Sequence, residues 1–143
     1  MKIDVIKLRE NTIENFQESL TPLDLDLDTN EVKYKGNINI STDVKKEMQL
    51  LSTKTHFSAT AEFTCSRCLK EFDNVIEKDF DIKYPLEKTE QFIDITQDIR
   101  QEVILGYPVK FLCKPDCRGL CPTCGQDLNN EDCGCQMKTQ LTE

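Results

Sequence analysis

The stretch LSTKTHFSATAEFTCSRCLKEFDNVIEKDFDIKY, Leu51 to Tyr84, decides the fold. Leu51, Thr53, Thr55, Phe57, Ala59, Ala61 and Phe63 fall on every second position. Phe72, Asn74, Ile76, Lys78, Phe80, Ile82 and Tyr84 repeat the alternation. Period two is the signature of a strand with one buried face. Two such runs joined by Cys65-Ser66-Arg67-Cys68 predict an antiparallel hairpin, wet on one side, with both cysteines at its tip.

Working outward, Val32, Tyr34, Gly36, Ile38 and Ile40 keep the same period. Leu23, Leu25 and Leu27 alternate with Asp24, Asp26 and Asp28, which predicts a further strand. Glu10 to Leu20 predicts a short helix, and Glu87 to Gln91 a polar loop. The main helix is expected from Ile95 to Leu105. Asp94 would cap it, with Gln97 three residues on and Ile95, Ile99 and Val103 as its apolar stripe. Gly106 ends it and Pro108 prevents resumption. The expected class is α+β: a mainly antiparallel sheet, open or barrel-like, one main helix and a small C-terminal cysteine-rich zinc module. Residues 1–105 would form the β-rich domain and residues 106–143 the zinc-knuckle module and tail.

The chain has 143 residues, enough for one domain with a small appended module. Its 26 acidic and 18 basic side chains give a net charge of −8. That disfavours nonspecific coating of nucleic acid, which needs a positive field. The charge is uneven: −7 over residues 1–105, +2 over 106–126 and −3 over 127–143. No stretch approaches the roughly 18 apolar residues of a membrane helix. Asp4, Lys7, Arg9 and Glu10 interrupt any apolar signal-peptide core, so a cytoplasmic protein without membrane contact is expected.

Eight cysteines in a chain read as cytoplasmic favour metal over disulfides, because thiols stay reduced there. Cys65 and Cys68 sit mid-chain, and Cys113, Cys117, Cys121, Cys124, Cys133 and Cys135 crowd the C-terminal part. Cys121-Pro122-Thr123-Cys124-Gly125 is a zinc knuckle: proline stiffens the turn and glycine lets backbone amides approach the thiolates. A structural Zn2+ takes four ligands, and six cysteines are on offer. Cys117, Cys121, Cys124 and either Cys133 or Cys135 make the most economical set, and Cys113 can replace Cys117. Cys65 and Cys68 either complete a shared site with two C-terminal cysteines or form a separate feature. Four thiolates on one zinc leave a charge of −2, which Lys114 and Arg118 are placed to offset. Catalytic zinc fits poorly, since the cluster holds no histidine and no open position is implied.

Other features lead elsewhere. Asp24, Asp26 and Asp28 mimic the start of a calcium loop, but Thr29 and Lys35 stand where glycine and glutamate are required. His56 is the sole histidine and lies out of phase with Phe57, on the solvent face. No constellation around it supports nucleophilic catalysis, so no catalytic residue is assigned. Arg67, Lys70, Lys110, Lys114 and Arg118 flank the cysteine groups and would form a patch for RNA or another partner if those groups meet.

The strand ending in Cys65-Ser66-Arg67-Cys68-Leu69 forms half of a larger pattern. Asp98-Ile99-x-x-Glu102, Pro108, Cys117-Arg-Gly-Leu-Cys121-Pro-Thr-Cys124-Gly-x-x-Leu128-Asn129 and Cys133-x-Cys135 form the rest. Together they resemble the YceD-like large ribosomal RNA subunit accumulation family, from about residue 50 to 135. The resemblance implies a bacterial, non-enzymatic accessory protein of ribosome biogenesis that supports accumulation of large-subunit ribosomal RNA. It implies a ribosomal RNA precursor, a basic large-subunit ribosomal protein, or both as partners, and leaves the oligomeric state open. It implies independent roles for the two cysteine groups, because some members lack one or the other. The alternative is a thiol- or zinc-responsive regulator or chaperone using the surplus cysteines.

Overall fold

A computed structural model describes residues 1–135; the tail at 136–143, part of the expected C-terminal module, lies outside the described residues. The elements run β1 (Lys2–Asp4), β2 (Ile13–Leu20), α1 (Pro22–Leu25), β3 (Val32–Glu47), β4 (Leu50–Thr64), β5 (Glu71–Pro85), β6 (Phe92–Asp94) and α2 (Thr96–Leu105). The chain divides into two compact units, residues 1–62 with 73–107, and residues 63–72 with 108–143. The hairpin tip, read from sequence with the β-rich part, thus groups with the cysteine-rich segment.

The first unit is built on an open sheet in the order β2-β3-β4-β5, not a closed barrel, and on a two-stranded pair of β1 with β6. The alternation at Leu51 to Phe63 buries one face of β4, with Phe57 and Ala61 fully enclosed. Ile38, Ile40 and Val44 of β3 and Ile99 and Val103 of α2 are equally buried. Burying each of these phenylalanine, isoleucine and valine side chains stabilises the fold by about 1.5–3 kcal/mol. Thr42 and Thr55 are also buried; their hydroxyls meet at 3.1 Å, so neither is left unpaired.

Two expectations fail. Ile13–Leu20 is a strand, not a helix, paired antiparallel to β3 from Ile13 opposite Lys45 to Leu20 opposite Ile38. Ile13, Phe16 and Leu20 have helix-like spacing, but as an edge strand this segment needs only Phe16 and Leu20 turned inward. Leu23 to Leu27 does not form a strand. Pro22 opens the single helical turn α1, and the Asp24 carboxylate accepts the Thr21 backbone N–H at 2.8 Å and hydroxyl at 2.7 Å. Asp26 closes the turn at φ 47°. Leu25 and Leu27 are buried as the alternation demanded, while Leu23 is 87% exposed. Asp28 accepts the Tyr34 backbone N–H at 2.9 Å and the Asp26 carboxylate pairs with Arg100 at 3.3 Å, so each acid of the triplet has a partner within the first unit.

Helix α2 forms one residue later than expected. Asp94 accepts from the Thr96 N–H and hydroxyl, an interaction that holds its carboxyl below the usual range; Gln97 takes no part in it. Gly106 ends the helix, and a side chain there would collide with Lys78, whose amino group donates to the Glu102 carbonyl.

Candidate metal centres

The second unit holds all eight cysteines. Its apolar content is small. Phe63 stacks on Phe72 at 5.6 Å and on Phe111 at 4.7 Å, and Leu112 and Leu120 pack on Cys65, Cys68 and Cys117.

Two turns inside this unit share one backbone design. The Cys65 N–H donates to the Lys70 carbonyl at 2.9 Å, and the Leu69 N–H to the Cys65 carbonyl at 3.0 Å. The Cys121 N–H donates to the Gln126 carbonyl and the Gly125 N–H to the Cys121 carbonyl, both at 2.8 Å. Both turns need a left-handed residue after the second cysteine: Gly125 at φ 77° and Leu69 at φ 61°. Glycine adopts that conformation freely, whereas leucine does so at a cost of about 1–2 kcal/mol. The Leu69 side chain is also 65% exposed.

The thiols gather in two disjoint fours: Cys65, Cys68, Cys113 and Cys117, and Cys121, Cys124, Cys133 and Cys135. Within each four, all sulfurs lie within 4.8 Å of one another. In the first, Cys65 Sγ is 3.7 Å from Cys117 Sγ, and Cys68 Sγ is 3.6 Å from Cys113 Sγ. A tetrahedral zinc with bonds of about 2.3 Å sets its sulfurs about 3.8 Å apart. A disulfide needs about 2.05 Å, and all eight cysteines are free. The donor sets therefore fit a four-thiolate metal ion and not a disulfide. Cys117 belongs with the hairpin cysteines rather than with Cys121 and Cys124, the set that spacing made most economical. The Ser66 N–H donates to the Phe111 carbonyl at 2.7 Å, drawing the segment before Cys113 onto the hairpin tip.

Backbone amides are aimed at the sulfurs. Burial opposes the Cys65 thiolate, but the amides of Cys68, Cys113 and Arg67 outweigh it and bring the thiol to about 6. The amides of Cys124 and Thr123 bring Cys121 to about 6. Burial, then the neighbouring thiols, push Cys113 up to about 12, and Cys133 with Cys124 does the same to Cys135. Each cluster thus pairs a ready thiolate with a reluctant one, whose deprotonation a bound cation favours.

The five basic residues all lie in this unit, yet two are already engaged. Arg67 donates to the Cys117 carbonyl at 2.7 Å, and Arg118 to the Asp132 carboxylate at 2.6 Å. Lys70, Lys110 and Lys114 are exposed, and Lys70 and Lys114 both act on Asp127, whose carboxyl is lowered chiefly by Asn129. Asn129 is a contributor that residue type alone does not reveal. Its side-chain amide donates to Cys117 Sγ at 3.4 Å and to Asp127 at 2.7 Å, while its carbonyl oxygen accepts the Arg118 N–H at 2.9 Å. The Leu128-Asn129 pair within the family-like pattern was its signal. His56 sits exposed in the first unit, its Nδ1 in a hydrogen bond with the Asp79 carboxylate at 2.8 Å.

Residues 81–142 match the family described as large ribosomal RNA subunit accumulation protein YceD. The chain is similar to that family over this stretch, less than half of its length. Over 72 residues, half of its length, it is 36% identical to a maize protein named large ribosomal RNA subunit accumulation protein YCED homolog 1, chloroplastic. Over 42 residues, 29% of its length, it is 45% identical to uncharacterized proteins of Mycobacterium bovis and Mycobacterium tuberculosis. These matches cover 24% of the maize protein and 20% of each mycobacterial one. No solved structure matches. The YceD match contains six of the eight cysteines and leaves out Cys65 and Cys68. Among the described residues, no helix is long and apolar enough to cross a membrane.

Proposed function

We propose that the chain is a non-enzymatic accessory protein of ribosome biogenesis. It supports accumulation of large-subunit ribosomal RNA in a bacterial cytoplasm and carries structural zinc in its cysteine-rich unit. The observation that carries this role is the YceD match over residues 81–142. The sulfur spacing in both clusters supports the zinc, which would fold a segment too poor in apolar residues to fold alone.

The partner is a basic large-subunit ribosomal protein, a ribosomal RNA precursor, or both. Charge favours the protein: the first unit holds 12 basic against 20 acidic residues, the whole of the net −8, while the second is balanced with six of each. Of the five basic residues beside the cysteines, Lys70, Lys110 and Lys114 are exposed and can reach a phosphate backbone.

Depleting the protein in its host should lower the ratio of large- to small-subunit ribosomal RNA, and an unchanged ratio would overturn the reading. Crosslinking of the purified chain to large-subunit precursors separates the partners. A crosslink to RNA that Lys70→Ala, Lys110→Ala and Lys114→Ala together abolish assigns RNA; one to a basic protein that survives them assigns protein.

A further inference from the structure

We infer that the cysteine-rich unit takes two metal ions of unequal standing, one retained by Cys65, Cys68, Cys113 and Cys117 and one exchangeable at Cys121, Cys124, Cys133 and Cys135. The inference rests on the structural-zinc reading above and goes beyond it in number and in kinetics.

The two fours share no residue, so each can be filled without emptying the other. They are built differently. The first draws on two segments, with Cys65 and Cys117 separated by 52 positions and Cys68 and Cys113 by 45. Three of its four cysteines are buried, and Phe72, Leu112 and Leu120 pack around them. A competing ligand must open that packing before it can reach a sulfur. The second four comes from a single short segment, 121–135. Cys124 is exposed, and Cys133 and Cys135 are only half-buried. A chelator can attack there directly, and releasing one ligand opens no core.

Asn129 adds a direction to the arrangement. It lies within the segment that forms the second four, yet its amide donates to Cys117 of the first. Donors to a ligating sulfur fix the ligand and tune its affinity. Emptying the second site should therefore loosen the first somewhat, while keeping it assembled.

The test uses the whole chain purified under reducing conditions, with zinc as the probe. Metal content should be two equivalents per chain. A chromogenic chelator should remove one equivalent at least tenfold faster than the other. Cys124→Ser should bind one zinc and lose the fast phase; Cys68→Ser should bind one and lose the slow phase. Asn129→Ala should leave two zincs but accelerate the slow phase about tenfold. Because Cys68→Ser can fail to fold, cobalt is added to the metal-free wild type as well. Its tetrahedral-thiolate absorption should rise to two equivalents. Two zincs leaving in one phase, or the fast phase vanishing with Cys68→Ser, would overturn the inference while leaving structural zinc intact. One equivalent in the wild type would overturn it too. No metal in any sample would sink the zinc reading itself.

Discussion

In the first unit the fully buried side chains are mostly aliphatic and aromatic, led by Phe57, Ile38, Ile40, Leu51 and Ile99. In the second, the buried side chains are mostly thiols, Cys65, Cys68, Cys117 and Cys121, with Phe63 and Leu128. The first unit excludes water with hydrocarbon and satisfies its backbone with a four-stranded ladder. The second has a pair of isolated bridging residues, Leu120 and Asp127, and turns instead of long strands over 108–135. The comparison teaches that burial in a small unit need not mean hydrophobic stability. In small zinc domains, the metal bound by such thiolates contributes folding free energy on the order of 10–16 kcal/mol.

The largest expected effect follows from that contrast. Removing metal should unfold the second unit and spare the first. Hydrogen exchange should show lost protection at Ser66 and Leu120, whose amides bridge the segments of the second unit, with β3 and β4 still protected at Ile40 and Phe57. Equal loss in both units would break the contrast. Next in size, Phe57→Ala should destabilise the first unit by about 3–5 kcal/mol in denaturant melts without changing metal content. Thr42→Val should cost about 1–3 kcal/mol, since it leaves the buried Thr55 hydroxyl unpaired.

Acid should separate the units as well. Cys65 and Cys121 titrate near 6, so zinc uptake should weaken steeply as pH falls below about 6 and protons occupy those sulfurs. In the first unit the Asp94 carboxyl is held below its ordinary value. Its contribution is therefore present above the unfolded value of about 3.9 and is lost only as pH falls through the lower folded value. Metal release monitored beside circular dichroism should show the zinc leaving first. The smallest effect concerns the two knuckles. Leu69→Gly should relieve the left-handed strain and stabilise the second unit by about 1 kcal/mol, because the exposed side chain gives up little burial.

The long alternating strands and α2 were legible because their periods run over many residues. Residues 13–20 and 22–27 were not. In the first, Ile13, Phe16 and Leu20 have helix-like spacing although the segment is an edge strand; in the second, three alternating leucines imitate a strand where Pro22 opens a helical turn. The cysteines announced their clustering plainly, but not their partners. Spacing along the chain ranks neighbours by sequence distance, whereas the pairing of Cys65 with Cys117 depends on the Ser66–Phe111 hydrogen bonds. For a similar reason the sequence did not show the partners of Arg67 and Arg118, a carbonyl and a carboxylate that only the fold brings near.

The interleaving of the two units has a consequence in time. The chain leaves the first unit at residue 62, returns at 73 and departs again after 107. Cys68 is therefore synthesised 45 residues before its sulfur neighbour Cys113. At roughly 5–20 residues per second, the hairpin tip waits about 2–9 s with two free thiols and without Phe111, one of its three stacked rings. Through that interval the nascent chain presents a reactive, partly apolar turn that nothing of its own can yet cover.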